Sequence, residues 1–458
     1  MNKFKSFLKE NKILIIFYIL VTIFFIYQHY KILNWDFTTY ILNAKYLFSN
    51  GNYFEWIRNP LTAALIGIFS IFTWKLAPYF YIIFVSFLHF YSSLKIAERF
   101  DLNKTIYYLL SLSPFLLLEG LKNSTELLTL SLVQLFLANF NNLYAGIFFG
   151  LAFLSRYTSI GLIPLILFLK KPKKIVIFAL IFLLIISPWL IFNYIKTGNA
   201  LTSIADSYAL NVLFRDYIND KFPVREFLMN FSYLLILSFI GLAKKIKNLN
   251  KNDFLMLLLL ILVLISFYKT PVKSYTLRYV FLILIPLTYF STIVLQKIKK
   301  KLIYLIFAIS LITSFFITAY SYSDNLKNYE QALPYLENCS TYSNNWIYLD
   351  YLGKNTRSDL YKEQFKSKIE KGDRILMYYN DLENPYIKNE SFIKNLQIIT
   401  RNDKFILFGN ESKCNADEEK IDRPYLINRR NTLLEVYNYT EDISNCSIFF
   451  KRKLPLIC

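Results

Sequence analysis

Residues 34–60 read NWDFTTYILNAKYLFSNGNYFEWIRNP and lie between one membrane-length apolar run and the next. The stretch holds Asp36, Glu55 and Arg58 within a dense set of aromatic side chains. A connector between two membrane helices does not need that mixture. Asp36 has two readings. It is the cap that starts a helix over Phe37-Thr38-Thr39-Tyr40, or it is a catalytic base placed at the membrane surface.

Apolar runs of about 15–20 residues recur on either side of this stretch, the pattern of a polytopic α-helical membrane protein. The chain of 458 residues is 55% hydrophobic and only 18% charged. Its composition changes near Ala319: residues 321–458 hold 20 basic and 20 acidic side chains, so the formal +20 belongs to the first 320. We therefore expect a transmembrane domain over 1–320 and a second domain over 321–458. A net charge of +20 could suggest nucleic acid, but the lysines are clustered in short loops beside apolar runs: Lys3/Lys5/Lys9/Lys12, Lys95/Arg99/Lys104, Lys170–Lys174, Lys244–Lys251 and Lys297–Lys301. Clusters so placed are cytoplasmic anchors, and nucleic acid is excluded as a partner.

Placing those clusters inside gives about eleven spans, a cytoplasmic N-terminus and an extracytoplasmic tail. The first apolar run, 13–28, is expected to stay as a signal anchor, since no small-residue cleavage site follows it. Residues 60–74 are apolar but short, which predicts an interfacial or re-entrant helix. Residues 105–118 are expected to form the third span. Two short helices follow over 143–155 and 157–169, with Arg156 at the outer turn between them. The tail is predicted to be a small α/β domain, with strands over 346–350, 374–379, 404–408 and 447–450 and helices near 329–337 and 359–370. All four cysteines, Cys339, Cys414, Cys446 and Cys458, lie in the tail. They predict one or two disulfides among three possible pairings, and their spacing fits no compact zinc motif. Sequons at Asn389, Asn410 and Asn438 agree with an outside location.

The first 320 residues hold twelve carboxylates. Glu10, Glu98, Asp101 and Asp253 sit among cytoplasmic lysines and balance charge. Those expected outside include Asp36, Glu55, Glu119 and Glu126, beside the cations Arg58, Lys122, Arg156, Lys196, Lys269, Lys273 and Arg278. Cations there oppose the orientation rule, and an anionic lipid phosphate would explain them. Glu119 and Glu126 bracket a polar turn and bind an acceptor or form a cation site shared with Asp36; alternatively Glu126 opens a helix behind a cap at Ser124-Thr125. Arg156 and Arg278-Tyr279 are phosphate ligands or snorkelling anchors. His29 and His89 are far apart in the sequence and have no thiol nearby, which excludes a His-based triad.

The order of these pieces resembles the GT-C superfamily of polyprenyl-phosphate-dependent glycosyltransferases, in the branch of protein O-mannosyltransferases and lipid A aminoarabinose transferases. The pieces are Asp36 with the helix through Tyr40 and Ala44; Arg58-Asn59-Pro60-Leu61; Ser113-Pro114 with Glu126; Gly146 and Gly150 up to Ser155-Arg156; Pro188-Trp189, Asn193 and Thr197-Gly198-Asn199; and Arg278-Tyr279. The resemblance covers about residues 1–320. It implies an inverting transfer at the outer membrane face, from a lipid-linked sugar to a lipid, glycan or protein acceptor. It makes Asp36 the catalytic base in a first external loop with two amphipathic helices, over 37–49 and 60–74. Arg58, Arg156, Arg278 and Tyr279 would bind the donor, and Glu126 the acceptor or its surroundings. Phe37 stands where protein O-mannosyltransferases carry a second acid, so neither mannose nor a protein acceptor follows. No cofactor or metal is assigned. The competing class is a transporter or flippase for a lipid-linked saccharide, which would favour inverted repeats and charges within the spans.

Overall fold

The computed structural model describes residues 12–51, 53–169, 171–208, 224–269, 278, 280–296, 300–320, 326–336, 338–358, 362–379 and 385–416. Among these, contacts divide the chain into two compact units: residues 12–30 with 56–320, and residues 31–55 with 326–416. Tyr279, Asn438, Cys446, Cys458 and the strand expected over 447–450 lie outside the described residues.

The first unit is helical. In chain order its helices are α1 (Lys12–Lys31, which runs one residue past the unit), α3 (Pro60–Phe69), α4 (Ala77–Arg99), α5 (Lys104–Ser111), α6 (Pro114–Glu119), α7 (Glu126–Ala138), α8 (Tyr144–Ser155), α9 (Pro172–Thr197), α10 (Thr202–Tyr208), α11 (Val224–Lys245), α12 (Lys251–Lys269), α13 (Leu284–Leu295) and α14 (Lys300–Tyr320); α2 (Trp35–Phe48) belongs to the second unit. Lys12–Lys31, Ala77–Arg99, Pro172–Thr197 and Lys301–Tyr320 are long and apolar enough to cross a membrane. Helix α3 has 10 residues and ends at Ser70. At 1.5 Å per residue it is roughly 15 Å long, half of a hydrocarbon core.

The unbroken span expected over 105–118 is corrected by the structure. Helix α5 stops at Ser111 and α6 starts at Pro114, with Ser113 extended at φ −59°, ψ 157° and its Oγ accepting from the Leu116 N–H at 3.3 Å. A residue before proline avoids the helical region, and a serine cap followed by proline at the first position restarts the helix. The glycines of α8 serve packing. A Cβ on Gly146 would stand 2.9 Å from the Phe178 carbonyl oxygen, and one on Gly150 would stand 2.8 Å from Ile185 Cγ2. Small residues at these points let α8 and α9 approach closely.

Asp253 is more than a counter-charge to lysines. It is fully buried. Its carboxylate accepts from the Asn250 N–H and the Tyr289 hydroxyl, both at 2.8 Å, while Asn250 Oδ1 accepts from the Asp253 N–H at 3.0 Å. This reciprocal pair is a capping box that starts α12.

The second unit is a small α/β fold. Its elements after α2 are α15 (Leu326–Glu330), β1 (Thr341–Ser343), α16 (Trp346–Tyr351), β2 (Thr356–Ser358), α17 (Phe365–Glu370), β3 (Arg374–Tyr378), α18 (Glu390–Ile393), β4 (Ile398–Arg401) and β5 (Phe405–Phe408). The five strands are ordered β2-β1-β3-β5-β4, parallel around β1 and antiparallel at β3–β5 and β5–β4. Strands at β3 and β5 match the expectation. The strand expected over 346–350 is instead helix α16. Its run Trp346-Ile347-Tyr348-Leu349 is buried throughout, and a short apolar run without alternation fits a buried helical turn as well as a strand. The helix expected over 329–337 is α15 plus a 3-10 turn at Leu333–Tyr335, and that over 359–370 is a 3-10 turn at Lys362–Gln364 running into α17. A disulfide joins Cys339 to Cys414 across 75 residues.

Alternate residues of β3 and β5 feed two cores on opposite sheet faces, as a period of two requires. Ile375, Met377, Ile406 and Phe408 pack with Phe365, Ile369 and Ile393. Leu376, Tyr378, Phe405 and Leu407 pack with Trp346–Leu349 and with Leu33, Leu42 and Tyr53. Residues 31–55 thus supply part of the core of the tail's own fold.

Candidate active site

Asp36 is the second residue of α2, and it is not the cap. Asn34 holds that position at φ −90°, ψ 139°, with its Oδ1 accepting from the Asp36 N–H at 2.9 Å. The Asp36 side chain is half-buried in the first turn, where a carboxylate suits the helix dipole. Trp35 beside it meets Trp346 edge-on at 5.5 Å and Tyr348 at 5.8 Å.

The return of the stretch is tied down by Asn43. Its Nδ2 donates to the Glu55 carbonyl at 3.0 Å, and its Oδ1 accepts from the Glu55 N–H at 2.7 Å. Glu55, for which the sequence offered no role, is 2% exposed. Further along α2, Lys45 Nζ donates to the Tyr351 carbonyl at 3.4 Å and lies 5.3 Å over the Tyr351 ring. Burial lowers the pKa of its ammonium below the ordinary lysine range, partly offset by the Asp350 carboxylate.

In the first unit the structure brings together Glu126 and Arg156. Glu126 opens α7 and is 1% exposed; its Oε1 accepts from Arg156 Nη1 at 2.5 Å. The other oxygen accepts from Thr125 Oγ1 at 3.3 Å. Thr125 holds the cap position ahead of Glu126, as the alternative reading of Ser124-Thr125 has it, although its side chain makes no cap hydrogen bond. Arg156 breaks the chain between α8 and a 3-10 helix at Tyr157–Phe168, with φ −152° and ψ 118°. Its guanidinium lies 5.2 Å over the Phe281 ring. Arg278 is half-buried three residues before Phe281, and Arg58 is half-buried two residues before Pro60, the first residue of α3. Lys122 pairs with Glu119 at 3.1 Å, so local charge balance accounts for it.

Two features escaped the sequence. Ser124 has φ 79°, is fully buried, and its Oγ has no hydrogen-bond partner among the described residues. A non-glycine residue held in that region beside a buried ion pair marks a strained turn, and nothing in the residue type announces it. The second is a polar hub at Ser203. Its Oγ takes Tyr157 Oη at 3.0 Å, Trp189 Nε1 at 2.8 Å and Asn193 Nδ2 at 2.9 Å. Above it Trp189 stacks on Phe192 at 5.2 Å, and Trp56 lies 5.7 Å from Phe192. Trp189 and Asn193 stood among the ordered motifs; their meeting with Ser203 had no sequence signal.

No protein-family model and no curated protein matches the chain. Solved structures do. ArnT from Cupriavidus metallidurans bound to undecaprenyl phosphate superposes with a TM-score of 0.61 at 9% identity, covering 87% of this chain and 98% of that one. The same protein in the apo state gives 0.56 over the same shares. The chain shares the fold of ArnT. With 9% identity the likeness is one of architecture, and it extends beyond the 1–320 covered by the sequence motifs to 87% of the chain. Among the described residues four helices are long and apolar enough to cross a membrane, which supports a membrane location.

Proposed function

We propose that the protein transfers a sugar from a polyprenyl-phosphate donor to an acceptor hydroxyl or amine at the outer face of the membrane. The observation that carries the reading is the shared architecture with a protein crystallised with undecaprenyl phosphate. The lysine clusters support about eleven spans, a cytoplasmic N-terminus and an extracytoplasmic tail.

In the proposed reaction the Asp36 carboxylate takes the proton of the acceptor. The freed lone pair attacks the anomeric carbon opposite the phosphate, and the C–O bond to the lipid phosphate breaks with inversion. The phosphate leaves with the bonding electrons. Cations fixed in place stabilise that growing charge more than they stabilise the ground state. Arg58, Arg156, Arg278 and Tyr279 are the proposed donor ligands. Glu126, which accepts from Arg156, is proposed to support the site by holding that guanidinium in place.

The test is the lipid that leaves the membrane with the purified protein. Mass spectrometry of the extract is expected to find a polyprenyl phosphate or its glycosylated form, enriched over the bulk membrane. An extract with only bulk phospholipid, together with no stabilisation by added polyprenyl phosphate, would contradict the donor class.

A further inference from the structure

We propose that Trp346 is a positioning residue for Asp36, so that the tail domain sets the geometry of the proposed base. This inference rests on the function proposed above. Trp346 opens α16 and is 3% exposed. Its ring meets Trp35 at 5.5 Å with an interplanar angle of 86°, and Tyr53 at 5.3 Å with 61°. One side chain of the tail therefore holds the stretch at both its outgoing and its returning strand of chain. Trp35 is bonded to Asp36, and Tyr53 lies two residues before Glu55.

Helix geometry turns that grip into control of Asp36. Successive residues are about 100° apart around the axis, so fixing the Trp35 ring fixes the azimuth of its neighbour. A helix of 14 residues spans roughly 21 Å. A second attachment lies further along, where Lys45 meets Tyr351 at the other end of α16. With α2 pinned at two separated points by the same helix, neither rotation nor sliding is free. A base displaced by about 1 Å loses on the order of a hundredfold in rate.

The experiment compares Trp346→Phe, which keeps an aromatic ring, with Trp346→Leu, which keeps apolar bulk alone. Met377→Ala serves as the structural control, because Met377 lies in the core on the opposite sheet face. All are assayed in the full-length membrane protein below their melting temperatures. Trp346→Leu is expected to lower kcat by roughly 10- to 100-fold with donor KM held within about twofold, and Trp346→Phe to recover most of the loss. Met377→Ala is expected to lower the melting temperature while leaving kcat near wild type. Wild-type kcat in Trp346→Leu, or an equal loss in Met377→Ala, would overturn the positioning role. Asp36→Asn in the same series separates the two claims: wild-type transfer there removes the proposed base itself, whereas lost transfer there with intact Trp346→Leu removes only the inference.

Discussion

Asn34 and Asp36 lie two residues apart and do different work. From sequence either could cap the helix, because both residue types accept from an early helical N–H. The structure gives the cap to Asn34 and leaves the Asp36 carboxylate in the first turn. Asn34→Ala is expected to lower stability by about 1 kcal/mol, measured as a shift in the unfolding midpoint of the detergent-solubilised protein. The pair Glu126–Arg156 is a sterner case. Two buried charges cost desolvation that their contact helps to offset, so removing one partner deprives the other of that compensation. Glu126→Ala is expected to destabilise by about 3–5 kcal/mol, and the double change with Arg156→Ala by less than the sum of the single changes in a double-mutant cycle.

At the scale of elements, the readable parts were those with a strong local signature. Helices α1 and α4 follow from long apolar runs, and β3 and β5 from short buried runs between turns. The break at Ser113-Pro114 was legible in principle, since a serine followed by proline is a restart signal, but hydropathy alone smoothed it into one span. Helix α16 was not legible, because Trp346–Leu349 is buried on all sides and periodicity has no purchase there. The glycines of α8 carry a prediction of their own. Gly150→Ala places a methyl 2.8 Å from Ile185 Cγ2, and overpacking of this kind costs about 1–3 kcal/mol. A lowered melting temperature with unchanged donor KM is expected.

For the whole molecule, the composition change near Ala319 pointed to a boundary there, yet residues 31–55 pack with the tail. No local pattern could reveal that. The link is made by Leu33, Leu42 and Tyr53, which as isolated letters read as ordinary loop and helix residues. The same limit applied to the candidate site: Asp36, Glu126 and Arg156 were visible as charges out of place, whereas the left-handed Ser124 and the Ser203 hub arise only from folding. The disulfide is a global constraint on the tail. Closing 75 residues restricts the unfolded chain by roughly 4 kcal/mol in the chain-entropy account, so Cys339→Ser is expected to lower the tail's unfolding midpoint and expose it to protease. The central claim is that Asp36 is the base of a lipid-dependent sugar transfer. Its most direct test is the rate of transfer from a polyprenyl-phosphate sugar by Asp36→Asn at saturating donor, alongside an unchanged melting temperature. The account predicts a loss of at least about a hundredfold, and transfer at the wild-type rate would contradict it.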